Sequence, residues 1–125
     1  MKKLKFSEPL PELILRGEKD RTWRINDEKG IKVDDLLSLC YNDGREFAKA
    51  KVTWIKEKTF GELTKEDKEG HEEFSSDKEM YETYSKYYRM EVTPKTRLKV
   101  IKFSLLVGKT KKRKSIENQP KLTIN

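Results

Sequence analysis

The most distinctive stretch of the sequence is GEKDRTWR at residues 17–24, which has the form G-x-K-x-x-T-x-R. Gly17 is suited to end a helix, because glycine readily adopts the left-handed backbone that often follows a helical C-terminus. The second half of the stretch alternates in character, which predicts a strand with Trp23 facing the core and with Thr22 and Arg24 on the opposite, polar side. The stretch is therefore predicted to be a cationic loop that leads from a helix into a strand.

The residues before this stretch predict one strand and one short helix. Residues 4–6 read as a strand, and Leu10, Leu13 and Ile14 recur at the spacing of an amphipathic helix. The N-terminal part of the chain is thus predicted to run strand, helix, strand.

The residues after it predict a hairpin and a closing strand. An apolar segment at residues 31–41 is followed by the turn sequence Asn42-Asp43-Gly44, which favours a hairpin. Residues 47–58 then alternate in polarity, which places Trp54 on the core side of a long strand. Residues 97–107 return to strand, and their apolar residues predict a well-buried final element: Leu98, Val100, Ile101, Phe103 and Leu105.

Two helices are predicted between the hairpin and the closing strand. Residues 60–70 suggest a short acidic helix, and Ser75 or Ser76 can cap a second helix. One face of that second helix carries three large side chains at helical spacing, Met80, Tyr84 and Tyr87. Its aromatic side chains either pack on the sheet or stack on bases, and packing is the simpler interpretation. His71, between the two helices, is predicted to lie on the surface.

Together these elements predict an α+β fold, namely a small, partly open β-barrel with helical insertions. The length of 125 residues fits one core, so we expect one domain at residues 1–107. Residues 108–125 lack apolar periodicity and predict a basic, disordered tail.

The net charge of +7 is unevenly distributed along the chain. Residues 108–125 hold six Lys or Arg against one Glu, whereas residues 57–82 hold ten acidic side chains against four basic ones. The rest of the chain is therefore basic. A basic surface favours polyanions such as nucleic acid, although charge runs also occur on faces that are simply solvated.

The content of cysteine, histidine and apolar residues excludes several classes of protein. Cys40 and His71 are the only residues of their types, so one copy cannot form an intrachain disulfide or a Cys/His zinc cluster. No apolar run is long enough to span a membrane. We expect a cytoplasmic protein without a metal ion or cofactor, and we favour a monomer.

The G-x-K-x-x-T-x-R stretch, in this order of elements, resembles the signature of the ASCH domain, a barrel related to the PUA fold. The resemblance extends over most of residues 3–107 and includes the strand around Val52, the helix start at Leu63-Thr64 and Gly70 behind it. It implies a PUA-like barrel and an RNA-related function, because ASCH domains are thought to bind RNA. The residues that it implies for binding RNA or a modified nucleoside are Gly17, Lys19, Arg21, Thr22 and Arg24.

One bacterial branch of this family hydrolyses the acetyl group from N(4)-acetylcytidine with a Lys, a Thr three residues later and a downstream Glu. The resemblance then implies Lys19 as base, Thr22 as nucleophile and Glu73 as the acid for the departing amine. Glu72 and Glu73 both lie in the corresponding stretch, and spacing from Leu63 points instead to His71. A lysine can act as a base only where burial or a neighbouring cation favours its neutral form.

Three functions remain open from the sequence. The leading hypothesis is a domain that binds RNA or a modified nucleoside, and the alternative is an amidohydrolase acting on acylated pyrimidine nucleosides. A regulatory domain whose ligand is not nucleic acid also fits an acidic segment beside a basic cleft. In the simplest interpretation of all, the cationic loop is only a solvated helix end.

Overall fold

A five-stranded sheet that curls into a half-barrel is the framework of the computed structural model, which describes residues 1–71 and 73–106. The strands are β1 (Lys2–Phe6), β2 (Arg21–Arg24), β3 (Leu36–Tyr41), β4 (Glu46–Thr59) and β5 (Arg97–Leu105). The helices are α1 (Leu10–Leu15), α2 (Lys65–Lys68) and α3 (Asp77–Tyr88), with a 3₁₀ turn at Phe60–Glu62. The strand order is β1-β3-β4-β5-β2, in which β1 is parallel to β3 and the other pairs are antiparallel. The predicted α+β class and partly open barrel with helical insertions are confirmed.

The hairpin between β3 and β4 forms where the sequence predicts it. Gly44 has a φ of +93° and donates its N–H to the carbonyl of Tyr41 at 2.9 Å. A positive φ is accessible to glycine without steric cost, which explains its place in this turn.

A β-bulge in β4 overturns the predicted position of Trp54. The register pairs Val52 with Phe103 but Trp54 with Lys102, so β4 advances two residues while β5 advances one. Side chains alternate between the two faces of a strand, and the extra residue therefore moves Trp54 to the face opposite Val52. Trp54 is half-buried there instead of lying in the core beside Val52.

Apolar side chains are buried on both faces of the sheet. The first cluster, which includes α1, is Leu4, Phe6, Ile14, Ile31, Leu37, Leu39, Ala50, Val52, Ile101 and Phe103. The second cluster, which includes α3, is Trp23, Ile25, Phe60, Met80, Tyr84, Val92, Leu98 and Val100. The final strand contributes to both clusters, since Ile101 and Phe103 belong to the first and Leu98 and Val100 to the second.

The region between β4 and α3 departs in detail from the predicted single acidic helix. It forms the 3₁₀ turn and then α2, whose first turn is closed by reciprocal hydrogen bonds between Thr64 and Asp67 at 2.9 and 3.2 Å. Ser76 caps α3 by accepting from the N–H of Glu79 at 3.1 Å. Met80 and Tyr84 are buried as predicted, but Tyr87 is 61% exposed.

The predicted tail at residues 108–125 lies outside the described residues. Within the part of the chain that the structure describes, no helix is both long enough and apolar enough to cross a membrane.

Candidate ligand-binding site

Residues 17–24, called the motif segment from here on, form a tight turn after α1 and then continue as β2. Gly17 has a φ of +80° and donates its N–H to the carbonyl of Ile14 at 3.1 Å. The N–H of Glu18 then donates to the carbonyl of Leu13 at 2.9 Å. These bonds satisfy carbonyls at the end of the helix, and the predicted C-terminal role of Gly17 is confirmed.

The motif segment is held from the other side by Gly70, which lies between α2 and α3. The carbonyl of Gly70 accepts hydrogen bonds from the backbone N–H groups of Asp20 and Arg21 at 2.8 and 3.1 Å. Gly70 has a φ of +67°, and a Cβ atom there would lie 2.0 Å from Asp20 Oδ1. Glycine is therefore required by both the backbone conformation and the close approach.

A small pocket opens where the two outer strands of the sheet, β1 and β2, approach each other. Arg24 spans the seam, with Nη2 donating to the carbonyl of Lys5 at 3.4 Å and Cζ lying 5.3 Å from the centre of the Phe6 ring. We call this space the seam pocket. Its wall includes Phe6, Lys19, Thr22, Arg24, Tyr84 and Tyr87, and its volume is about 30 Å³.

Lys19 and Thr22 line the seam pocket as buried polar side chains. Lys19 is 2% exposed, and its Nζ donates to the carbonyl of Arg21 at 2.6 Å and lies 6.0 Å from the centre of the Phe6 ring. Thr22 is also buried. Burying a lysine side chain is costly unless polar partners compensate for its lost hydration, and the carbonyl of Arg21 is one such partner.

Two of the residues predicted to bind ligand lie elsewhere. Arg21 faces away from the seam pocket, because its Nη1 donates to Asp20 Oδ1 at 3.0 Å and to the carbonyl of Glu69 at 2.6 Å. Its guanidinium also lies 5.5 Å from the centre of the Trp54 ring. Gly17 lines a separate groove described below. The structure thus brings together Lys19, Thr22 and Arg24 of the predicted set.

The residues considered for the third catalytic role are not gathered in the seam pocket. Glu73 is exposed and lines another pocket, of about 340 Å³, together with Lys68, Phe74 and Asp77. Glu72 lies outside the described residues.

His71 is buried, which corrects the prediction of a surface position. Its ring stacks on Trp23 with centroids 3.7 Å apart, and its Nε2 lies 3.0 Å from the hydroxyl of Tyr84. The link between α2 and α3 carries His71, whose ring buries the face of Trp23 that points away from the sheet. The sequence signal for this contact is weak, because a histidine between glycine and glutamate is typical of a loop.

The larger cavity beside the motif segment lies on its other side, at the C-terminal end of β5, where the pairing of β5 with β2 ends. We call it the edge groove. Its volume is about 640 Å³, and its wall includes Gly17, Asp20, Thr53, Trp54, Lys102 and Ser104. Lys19 lines both the seam pocket and the edge groove, so the two cavities lie on either side of one lysine. The described residues contain no group of His, Cys, Asp or Glu that could hold a metal ion.

Three solved structures show the same arrangement of elements. The hypothetical protein PH0355 is 29% identical with a TM-score of 0.66, and the match covers 85% of this chain and all of that protein. Protein PF0455 from Pyrococcus furiosus is 27% identical with a TM-score of 0.60, covering 84% of this chain and 96% of that one. An ASCH domain from Lactobacillus crispatus is 19% identical with a TM-score of 0.59, covering 76% and 69%. No protein-family model and no curated protein matches the sequence.

Proposed function

Because the chain has an ASCH-like, PUA-like fold, we propose that it binds RNA or a modified nucleoside at the seam pocket. The observation that carries the proposal is the composition of that pocket, whose wall gathers three basic residues (Lys5, Lys19 and Arg24), hydroxyl groups and aromatic rings. These are the groups that bind phosphates, base edges and base faces, respectively.

Arg24 has N–H donors that are not hydrogen-bonded within the described residues. Its one hydrogen bond within the described residues, to the carbonyl of Lys5, is long, and its Nε is buried without a partner. A guanidinium carries five N–H donors and binds phosphate or a base edge with two parallel bonds. A ligand in the seam pocket would therefore satisfy donors that the protein itself leaves open.

The side chain of Tyr87 limits the space in the seam pocket that is available to a base. The pocket volume of about 30 Å³ accommodates roughly one water molecule, which is too little for a nucleobase. Tyr87 is 61% exposed, so rotating it outward loses little buried area. The displaced ring can then stack on the incoming base, and stacking of this kind contributes about 1–3 kcal/mol per base.

The alternative activity is hydrolysis of the acetyl amide of N(4)-acetylcytidine, and the shared pocket of Lys19 and Thr22 favours it. Thr22 Oγ1 would attack the acetyl carbon while its proton passes to Lys19, and the cytidine amine would leave after accepting a proton from an acid. Water would then release acetate from Thr22. Glu73, in its described position, does not reach the pocket, so the identity of the acid is part of the test.

One set of variants tests binding and catalysis together. Binding of cytidine, N(4)-acetylcytidine and a short RNA is measured by calorimetry, and acetate release is measured on the same preparations. We expect Arg24→Gln and Tyr87→Ala to weaken binding about tenfold each, since each loses roughly 1.4 kcal/mol or more. Arg45→Gln, at the β3–β4 hairpin, changes a residue outside the wall of the seam pocket, so it is the matched control and should bind as the wild type does.

The outcomes separate the two functions. Acetate release that disappears in Thr22→Val and Lys19→Met, with folding confirmed by circular dichroism, would establish the amidohydrolase. Glu72→Gln and Glu73→Gln would then identify the acid. Binding without acetate release leaves the binding function. Wild-type protein that binds none of the three ligands would refute the proposal.

A further inference from the structure

We infer that the uncovered face of the sheet binds the phosphodiester backbone of single-stranded RNA and delivers the strand through the edge groove to the seam pocket. We call the surface formed by Lys3, Lys49, Lys51 and Lys102 the basic sheet face. The inference rests on the proposed function and extends it, because it makes a polynucleotide, and not a free nucleoside, the natural ligand.

The strand register places these four lysines on one face. Lys3 pairs with Ser38 and Ser38 pairs with Lys49, which forms a row across β1, β3 and β4. Their neighbours Leu4 and Ala50 point into the first core cluster on the other face. Side chains alternate along a strand, so the lysines project away from that cluster.

The same register extends the row to the last strand. Lys51 pairs with Ser104, and Lys102 lies two residues from Ser104 on the same face. Lys3, Lys49 and Lys51 are exposed, and Lys102 is half-buried at the rim of the edge groove. The face is therefore continuous with that groove.

No described helix covers this part of the sheet. The helix α1 supplies Ile14 to the first cluster on the opposite face. The helix α3 packs over Trp23 and Val100, which lie farther along β2 and β5 on the same face as Lys102. The covered area ends near Lys102, and the lysines begin there.

The charges on this face are only partly balanced. Lys49 pairs with Glu46 at 2.6 Å and Lys51 with the exposed Asp34 at 3.6 Å. Lys3 and Lys102 make no ion pair within residues 1–71 and 73–106. Like charges on neighbouring strands are destabilising, and a polyanion is the partner that would reverse that effect.

The edge groove supplies what a nucleotide needs beyond charge. Its volume of about 640 Å³ lies within the range of about 300–1,000 Å³ that is typical of ligand pockets. The bulge in β4 turns Trp54 into this groove, and bulges often serve to redirect a side chain near a functional site. The basic residues in the groove wall are Lys19 and Lys102, whereas Lys56, whose Nζ lies 4.6 Å from the centre of that ring, is paired with Glu66 at 2.8 Å.

A positively charged track with an aromatic side chain along it is the arrangement that binds single strands without sequence preference. Lys19 lines both the edge groove and the seam pocket. A strand lying on the lysines can therefore place one nucleotide in the groove and the next in the pocket.

The experiment compares two triple variants of the full chain for binding to fluorescent oligouridylate of about ten nucleotides. Lys49→Gln, Lys51→Gln and Lys102→Gln are combined in the test protein, and Lys65→Gln, Lys78→Gln and Lys86→Gln in the control. All six side chains lie away from the two core clusters, and surface ion pairs contribute little to stability, so both proteins should fold. Affinity is measured between about 50 and 200 mM salt.

We expect the test protein to bind RNA at least tenfold more weakly at low salt. Its slope of log affinity against log salt should fall by up to about 2, since each phosphate contact of a single strand contributes about 0.7. The control protein should keep more of the wild-type slope, and both should bind cytidine as the wild type does.

Three results would overturn the inference. The first is equal affinity and slope for the test and control proteins. The second is a wild type that binds cytidine but not the oligomer, a result that leaves the proposed nucleoside function standing. The third is tighter binding to vesicles with anionic lipid than to RNA, lost in the test protein, which would assign the face to a membrane surface.

Discussion

Gly70 is the single residue on which the position of the motif segment depends most directly. Its carbonyl receives the N–H groups of Asp20 and Arg21, and its own Cα approaches the Asp20 carboxylate too closely for any side chain. That carboxylate also holds Arg21 Nη1 at 3.0 Å. A change at Gly70 would therefore displace the Asp20–Arg21 pair as well as straining the backbone.

We predict that Gly70→Ala lowers the free energy of unfolding by about 2 kcal/mol. Roughly 1 kcal/mol comes from an alanine at positive φ, and roughly 1 kcal/mol from the displaced hydrogen bond of Asp20. Urea denaturation measures the change. The same variant should weaken nucleoside binding, since the motif segment loses its fixed position.

Gly30→Ala is the matched control for this prediction. Gly30 has a φ of +60° but no atom within 4 Å of the position a Cβ would occupy, so only the backbone term of about 1 kcal/mol applies. In a chain that already carries Asp20→Ala, Gly70→Ala should cost less than it does in the wild type, although Arg21 Nη1, 2.7 Å from the position of the Cβ, keeps the cost above that of Gly30→Ala. An equal cost of Gly70→Ala with and without Asp20→Ala would contradict the explanation.

At this scale the sequence predicted which motif residues share a side of β2, but not what covers them. Alternation correctly placed Trp23 in the core and Thr22 with Arg24 on the other side, because period-two patterns reflect strand geometry directly. The burial of His71 depends on a loop packing back onto Trp23. Such a long-range contact has no local pattern to indicate it.

At the scale of elements, the short helix α2 is held to the sheet by one buried carboxylate. Asp67 is 0% exposed and receives hydrogen bonds from Lys58 Nζ and from the N–H of Thr64. Its other oxygen lies 3.5 Å from Lys56 Nζ. A helix of four residues has little intrinsic stability, so these contacts determine its position.

Asp67 also predicts how stability depends on pH. Burial alone would raise the pKa of Asp67, but the hydrogen bonds from Lys58 and Thr64 more than offset it and lower that pKa below its ordinary value. A carboxylate with a lowered pKa in the folded state stabilises the fold above its ordinary titration range, around pH 4. The stabilisation is lost as the pH falls through the folded-state pKa.

We predict that Asp67→Asn costs about 2 kcal/mol in the free energy of unfolding near neutral pH, the value expected for hydrogen bonds to a charged group. The difference from the wild type should shrink at acidic pH, once the pH has fallen through the lowered pKa of Asp67 and the wild-type carboxylate is protonated as well. Urea titrations at both pH values check this. Glu66→Gln is the control: its partly exposed pair with Lys56 at 2.8 Å should contribute less than about 1 kcal/mol.

The elements themselves were largely predictable, and the exceptions have identifiable causes. The hairpin turn and the closing strand carry strong local signals, in Asn42-Asp43-Gly44 and in the many apolar side chains of β5. The bulge near Thr53 carries none, because it arises from pairing with β5. This bulge therefore moved Trp54 from the face of Val52 to the opposite face, where it packs against the second core cluster and lines the edge groove.

At the scale of the whole molecule, the described fold and the charge are concentrated in different parts of the chain. Both core clusters and all five strands are complete within the described residues, and β5 ends at Leu105. Residues 108–125 carry a net charge of +5 out of the total of +7. We propose that the domain at residues 1–107 folds and recognises a nucleoside by itself, and that the tail adds only attraction for polyanions.

Removing residues 108–125 tests this division, and we predict an unchanged thermal unfolding midpoint and unchanged affinity for cytidine. Affinity for the RNA oligomer should fall, together with its salt dependence, because up to six cations no longer displace counterions from the strand. Adding the basic-face substitutions to the shortened chain should weaken RNA binding further, since the two sets of cations contact different phosphates. A shortened chain that unfolds at a lower temperature or no longer binds cytidine would place part of the domain beyond residue 107. Equal RNA affinity with and without the tail would instead assign the electrostatic attraction to the sheet alone.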